Sequence, residues 1–403
     1  MAGAQSRCSV PAVTRVAKFA AIAGIGQTEF SKNSGRSEQQ LAAEASKAAL
    51  DDAGIDPADV DGMITFTLDP SDEIGLCRCL GVKDLAYTTR IPGGGAASVA
   101  TVYQAMAAVT SGIAQVVLIW RAMNERSAYR FGQPLVPPSG GVVNVAGNGT
   151  GSLLWCMPFG AQTPASWEAL ASQHYMETFG VTNQDLGHVS VAQRKHAATN
   201  PLAWFYRKPI TLEEHQQSRW IVEPVLRLLD CCQESDGGVA LVITSLERAR
   251  DLKQPPVRIV SAAQSIPAEV EVISNYYHGD LTMMPEARGV ARRLYGRSGL
   301  TPKDMQLAMI YDAFTPQVLK QLEAFGFCGR GEAKDFVKRG NIEVGGSLPV
   351  NTNGGLIGEA YIHGMNNITE AVRQLRGTAT NQVKNLTHAL VSCGMAGAIL
   401  ANA

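Results

Sequence analysis

One phrase of the sequence is written twice, and that repetition limits the fold more than any other feature. Gly54-Ile-Asp-Pro-Ala-Asp59 follows a segment with helical spacing of apolar residues and precedes the apolar run 60–66. Gly299-Leu-Thr-Pro-Lys-Asp304 repeats the order after a helical stretch over 290–295 and before Met309 and Ile310. In each copy a capping side chain, a Pro and an acid open a turn of helix. What comes next is shared too: a Gly-rich turn, a helix, then a buried strand. Pro92-Gly-Gly-Gly95, residues 96–111 and residues 114–120 play these parts first; Asn353-Gly-Gly355, residues 364–376 and residues 388–393 play them again. Upstream, the apolar run 20–26 reads as a strand, and Ser37 opens a helix reaching Leu50.

Short apolar strands alternating with helices predict an α/β protein of two duplicated halves, with parallel sheets covered on both faces. The halves are expected over 19–250 and 251–403, with a connector near 246–256. Residues 121–225 concentrate Pro, Gly and aromatic residues and read as an insertion within the first half, the kind of segment that carries substrate contacts. Residues 1–18, basic and rich in small side chains, read as a flexible N-terminal extension.

Several function classes drop out. With 35 Lys+Arg against 36 Asp+Glu there is no basic footprint for nucleic acid. Wholly apolar stretches such as 116–120 are far below the roughly 20 residues that cross a bilayer, so no membrane span is expected. Eight Cys in 403 residues are too sparse for a disulfide framework, which points to a reducing cytoplasm. Cys77-Arg-Cys79 and Cys231-Cys232 lack a second pair at metal spacing, so no metal site is predicted. His174, His188, His196 and His215 read as structural or surface residues. Asn148-Gly-Thr-Gly151 and Gly345-Gly346 match no nucleotide-binding pattern. His278-Gly-Asp280 reads as a turn, with a place along a ligand tunnel as the alternative.

Six segments together resemble the thiolase superfamily, in its sterol-carrier and lipid-transfer branch. They are 93–118, Arg194-Lys-His-Ala-Ala-Thr-Asn-Pro201, 230–238, Tyr311-Asp-Ala-Phe314, Leu348-Pro-Val-Asn-Thr-Asn-Gly-Gly355 and Cys393-Gly-Met-Ala-Gly397. The resemblance implies a five-layered αβαβα thiolase fold with an inserted loop region, a homodimer and a CoA thioester ligand. The departures carry the function. Where that family places a nucleophilic Cys at the start of the first alanine-rich helix, this sequence has Gly95, and no Cys lies between Cys79 and Cys156. The family's Asn-Glu-Ala-Phe or His-Asp-x-Phe motif is Tyr-Asp-Ala-Phe here. Its catalytic His is missing near Gly358 or Glu359. Cys393 is close to the second thiolase cysteine position, although counting along the motif favours Val391.

This combination resembles the lipid-transfer-protein-like aldolases of bacterial steroid side-chain degradation. The resemblance implies retro-aldol cleavage of a 17-hydroxy steroid acyl-CoA to a 17-ketosteroid and propionyl-CoA. It also implies a small zinc-ribbon and OB-fold partner, with zinc in the partner and no bound cofactor in this chain.

Such a cleavage needs a base for the hydroxyl proton, donors for the enolate oxygen and an acid for the carbon left behind. Tyr311 and Tyr361 are the predicted pair. The base role falls to Tyr361, because Glu359 and His363 lie near it in sequence; the reverse order stays open. Enolate donors are expected from the Gly95 N–H at a helix start and from the turn beginning at Gly394, with Asn353 as a substrate contact. Asp312 could orient Tyr311 or a water, but capping the helix that opens at Thr315-Pro316 is the favoured reading. Two other functions remain: a catalytically silent subunit that binds acyl-CoA or lipid, and a thiolase acting through Cys393.

Overall fold

The computed structural model describes residues 17–95, 98–128, 130, 132, 157–268 and 279–403. Most of the N-terminal extension, residues 148–151, and Tyr276, Tyr277 and His278 lie outside the described residues.

The first half contributes β1 (Ala20–Gln27), α1 (Glu38–Ala53), β2 (Gly62–Phe66), α2 (Glu73–Leu80), β3 (Tyr87–Ile91), α3 (Ser98–Thr110) and β4 (Val116–Asn124). The insertion adds α4 (Pro164–Phe179), α5 (Asn183–Thr199), α6 (Leu212–Gln217) and a small hairpin of β5 (Trp220–Val222) and β6 (Leu226–Arg227). β7 (Asp236–Ser245) and α7 (Leu246–Ala249) close the half. The second half runs β8 (Val257–Gln264), α8 (Pro285–Ser298), β9 (Leu307–Ile310), α9 (Thr315–Ala324), α10 (Ala333–Lys338), α11 (Gly355–Gly358), α12 (Met365–Arg376), β10 (His388–Ser392) and β11 (Ala396–Asn402).

The strand order β3-β2-β4-β7-β1 continues through β8-β11-β10-β9, and the seam between β1 and β8 is only Ala21↔Arg258 and Ile22↔Val257. Read outward from the seam, β1-β7-β4-β2 and β8-β11-β10-β9 are the same topology, so the written repetition is a structural one. Val350 bridges Ala308 of β9 in the place that β3 takes beside β2. The sheets are mixed, however, and not parallel as expected. β7 runs antiparallel to β4 and β1, and β11 antiparallel to β10 and β8. Strands buried on both faces read as continuous apolar runs whichever way they point, so periodicity carries no direction.

α1 covers the outer face of β1, β7 and β4, and α8 covers β8 and β11. α3 packs on β4 and β7 of one sheet and on β8 and β11 of the other; α12 packs on β9, β10 and β11 as well as β1 and β7. The order is therefore helix, sheet, helix, sheet, helix. A helix pressed between two sheets needs small side chains, and α3 buries Ser98, Ala100, Thr101, Ala105 and Ala108 beside its valines. The twice-written phrase forms one turn of 3-10 helix in each half, with Asp56 accepting from the Ala58 N–H (2.8 Å) and Asp304 from the Thr301 N–H (2.7 Å).

The insertion is anchored on the second half by buried polar contacts. His215 Nε2 and the Thr315 hydroxyl both meet Asp230 Oδ1 at 2.8 Å, and Lys320 pairs with Glu168 at 2.7 Å. These hold residues 230–235 against the loop that follows β9. No helix among the described residues is long and apolar enough to cross a membrane.

α1 lies so close on β7 that a Cβ on Gly238 would stand 2.6 Å from the Leu41 carbonyl oxygen. Gly238→Ala is therefore expected to lower unfolding stability by about 1–3 kcal/mol, as overpacking does, read as a reduced urea midpoint with an unchanged m-value.

Candidate active site

Tyr311 is the first residue beyond β9. Its N–H donates to the Ser392 carbonyl (2.9 Å) and its own carbonyl accepts from Gln321 Nε2 (2.8 Å). Tyr361 lies between α11 and α12, with its N–H on Ser235 Oγ (3.2 Å) and its backbone bridged to Glu234. The two rings, with centroids 6.4 Å apart, bring their hydroxyl oxygens to 2.9 Å, and both residues are buried.

The pair stands where the two central helices begin. Gly95 lies just upstream of α3, and Gly364 caps α12. A Cβ on Gly364 would be 3.0 Å from the Tyr311 ring; one on Gly95 would collide with the Tyr311 hydroxyl and ring edge. The phenol fills the volume into which any side chain at position 95 would project. Glycine at 95 and tyrosine at 311 are thus sterically interdependent.

Burial raises both phenols well above the ordinary tyrosine range; the neighbouring Cys232 and Glu125 push both further, and each phenol also feels the other. Neither rests as a phenolate near neutral pH. Each can accept a proton only as it passes its own proton on, and the 2.9 Å contact provides the route between them.

The remaining predicted residues surround this pair in ways sequence proximity did not anticipate. His363, at a left-handed φ of 51°, packs edge-to-face on Tyr361 with centroids 5.2 Å apart. Its Nδ1 accepts from Arg121 Nε (3.0 Å), and Arg121, 1% exposed, also donates to Asp69 Oδ2 (3.0 Å). Because arginine has no acceptor and keeps its protons, this ring is neutral with hydrogen on Nε2. Burial and the Arg121 charge hold its pKa well below the usual histidine value. His363 therefore walls Tyr361 rather than exchanging protons with it.

Glu359 points away from Tyr361. It accepts from Asn353 Nδ2 (2.5 Å), Asn366 Nδ2 (2.9 Å) and Asn200 Nδ2 (3.2 Å). Asn353, expected to touch substrate, is engaged in that network and in accepting the Gly355 N–H (2.9 Å). Asp312 does cap a helix, but it is α11 and not α9: its Oδ2 accepts from the Leu356 N–H at 2.9 Å, whereas no side chain caps α9. The Gly394 N–H donates to Ser392 Oγ (3.1 Å), so it is not the oxyanion donor expected of it. Cys393 is buried at the start of α3, against the Val99 and Ala100 N–H groups and Ser98; burial raises its thiol above the usual value, which leaves it a poor nucleophile. Among the described residues no group of three or more His, Cys, Asp or Glu could hold a metal ion.

Ser235 and Glu125 beside the pair, and Arg121 and Asp69 behind His363, were not foreseen. The available signal was charge where burial was expected: Arg121 interrupts an otherwise apolar strand, and Glu125 follows its end.

A thiolase C-terminal domain-like family model matches residues 270–403. A steroid side-chain-cleaving aldolase of Thermomonospora curvata is 55% identical over 375 residues, covering 93% of this chain and 95% of that protein. The chain belongs to the thiolase superfamily, in its aldolase branch. A 17-hydroxy-3-oxo-4-pregnene-20-carboxyl-CoA lyase of Mycobacterium tuberculosis is likewise 55% identical, over 93% of this chain and 96% of its own. The solved structure of an Ltp2-ChsH2(DUF35) aldolase is 53% identical with a TM-score of 0.88, covering 96% of this chain and 98% of that one. This aldolase is a lyase, and the Tyr311 phenol of its buried pair fills the space beside Gly95.

Two outcomes follow from the geometry. Gly95→Ala displaces Tyr311 and is expected to lower kcat about 10²-fold, the order that a 1 Å misplacement brings, checked by steady-state turnover beside a circular-dichroism melt. Burial raises Asp312 and Glu359 to about 7, so the folded chain keeps protons that the unfolded chain releases. Their stabilising contribution is whole below the unfolded carboxyl value of about 4 and is lost as pH rises through about 7. The urea midpoint should therefore fall between about pH 5 and about pH 8, and Glu359→Gln should flatten the slope.

Proposed function

We propose that this chain cleaves the side chain of a 17-hydroxy steroid acyl-CoA by a retro-aldol reaction, releasing a 17-ketosteroid and propionyl-CoA. The observation that carries the reading is the hydrogen-bonded pair Tyr311–Tyr361, with Tyr311 against Gly95; we read Gly95 as the place of the thiolase nucleophile. A β-hydroxyacyl thioester needs one proton removed from oxygen and one delivered to carbon, with no net change, and two neutral phenols in contact match that need.

Tyr361 takes the hydroxyl proton while its own proton moves to Tyr311, and Tyr311 gives its original proton to the α-carbon. As the O–H bond breaks, its electron pair becomes the new ketone bond; the breaking C–C bond leaves its pair in the enolate. Carbon protonation then restores the thioester with both phenols neutral. The enolate oxygen collects its charge near the N termini of α3 and α12, where the helix dipoles and the Gly95 N–H favour it. No step draws on a resident cofactor; CoA belongs to the substrate.

The solved Ltp2-ChsH2(DUF35) aldolase supports a DUF35-type partner. We further infer that the partner is small and holds zinc, and that this chain is a homodimer in the cytoplasm. Relatives 55% identical over nearly the whole chain support the steroid substrate.

Purified chain plus partner should release ketone and propionyl-CoA without added CoA. Tyr311→Phe and Tyr361→Phe should each lower kcat by about 10²–10⁴-fold with melting temperatures unchanged. Wild-type turnover in both variants would reject the relay; product only with free CoA, and an acyl group on Cys393 by mass spectrometry, would favour thiolysis.

A further inference from the structure

Glu125 is the residue directly after β4, and it is 4% exposed. Its carboxyl accepts the Ser235 N–H, and the Ser235 hydroxyl oxygen accepts the Tyr361 N–H (3.2 Å). One residue thus separates Glu125 from Tyr361 across the approach to β7. Asn124 is paired with Asp236, which fixes the two segments in register. The second carboxyl oxygen, Oε2, is buried without a hydrogen-bond partner among the described residues. A bare buried oxygen of this kind is unfavourable, and a bound ligand can relieve that.

The nearby cations are engaged elsewhere. Lys32 Nζ bonds the Gln233 side chain (2.8 Å) and the Glu234 carbonyl, and Arg121 bonds Asp69 and His363. Among the described residues no ion pair joins either of them to Glu125. The groups that face it are Lys32, Arg121, Cys232, Glu234, Tyr311 and Tyr361; Arg126, the next residue in the chain, acts on Lys32. Burial first, and the Glu234 charge second, favour its neutral form. A buried neutral carboxylic acid is a hydrogen-bond donor, and it complements an oxygen that gains charge during reaction.

We propose that Glu125 is a third catalytic group, donating its carboxyl O–H to the thioester oxygen of the substrate as that oxygen becomes an enolate. The assignment rests on the retro-aldol reading above. The phenols handle the hydroxyl proton and the α-carbon, the Gly394 N–H is bonded within its own turn, and Glu125 supplies a further donor beside the pair. No proton is consumed: the O–H bond stays with Glu125, shortens its contact as charge grows, and relaxes when carbon is protonated.

Wild type, Glu125→Gln and Glu125→Leu, each with the partner protein, test the assignment using the steroid acyl-CoA as substrate. Glutamine keeps a neutral donor and should retain kcat within about tenfold, while leucine should lose about 10²–10³-fold, as removal of one oxyanion donor does, with KM nearly unchanged. As pH rises the wild-type acid ionises and its kcat falls, whereas Glu125→Gln should lack that alkaline limb. Infrared difference spectra of wild type against Glu125→Gln should contain the C=O stretch of a protonated carboxyl. Glutamine as inactive as leucine would make Glu125 a base and overturn the donor role. Full turnover by Glu125→Leu, loss of kcat only in step with melting temperature, or absence of the protonated-carboxyl band would overturn it as well. Failure of wild type to cleave the substrate at all would instead reject the retro-aldol reading.

Discussion

Two helices buried between two sheets begin at the same small volume, and the contents of that volume decide the chemistry. Their N termini direct a positive field toward it, which suits a developing oxyanion. The Tyr311 phenol fills the space left by the absent side chain of Gly95, and its hydroxyl meets that of Tyr361. The duplicated topology is what makes the two helices converge, because each half delivers one of them after equivalent strands.

Burial acts on this site in two directions. It keeps both phenols protonated and His363 neutral, so the centre carries little formal charge before substrate enters. An electrically quiet centre suits a reaction that moves a proton from oxygen to carbon without a net change. The charged machinery lies one layer out, where Asp69 and Arg121 fix the His363 ring and Asn353, Asn366 and Asn200 hold Glu359.

The duplication, the alternation of strands and helices and the phenol pair were legible because each depends on local pattern or on a motif. Strand direction was not, since the antiparallel β7 and β11 are as buried and apolar as the parallel-paired β2, β9 and β10. The roles of Asp312, Glu359 and Gly394 were misjudged for one reason: a short polar side chain or a turn N–H is claimed by whatever the fold brings near. For Asp312 that was α11, 44 residues away; for Gly394 it was Ser392. Arg121 reaches His363 across 242 residues, a distance no local spacing encodes.

The collision between a Cβ at 95 and the Tyr311 ring also makes the two positions one unit for redesign. Any side chain introduced at 95, a cysteine included, meets an occupied site unless residue 311 is made smaller with it. Refitting this scaffold with a nucleophile is therefore a paired substitution, and a single one reports a clash.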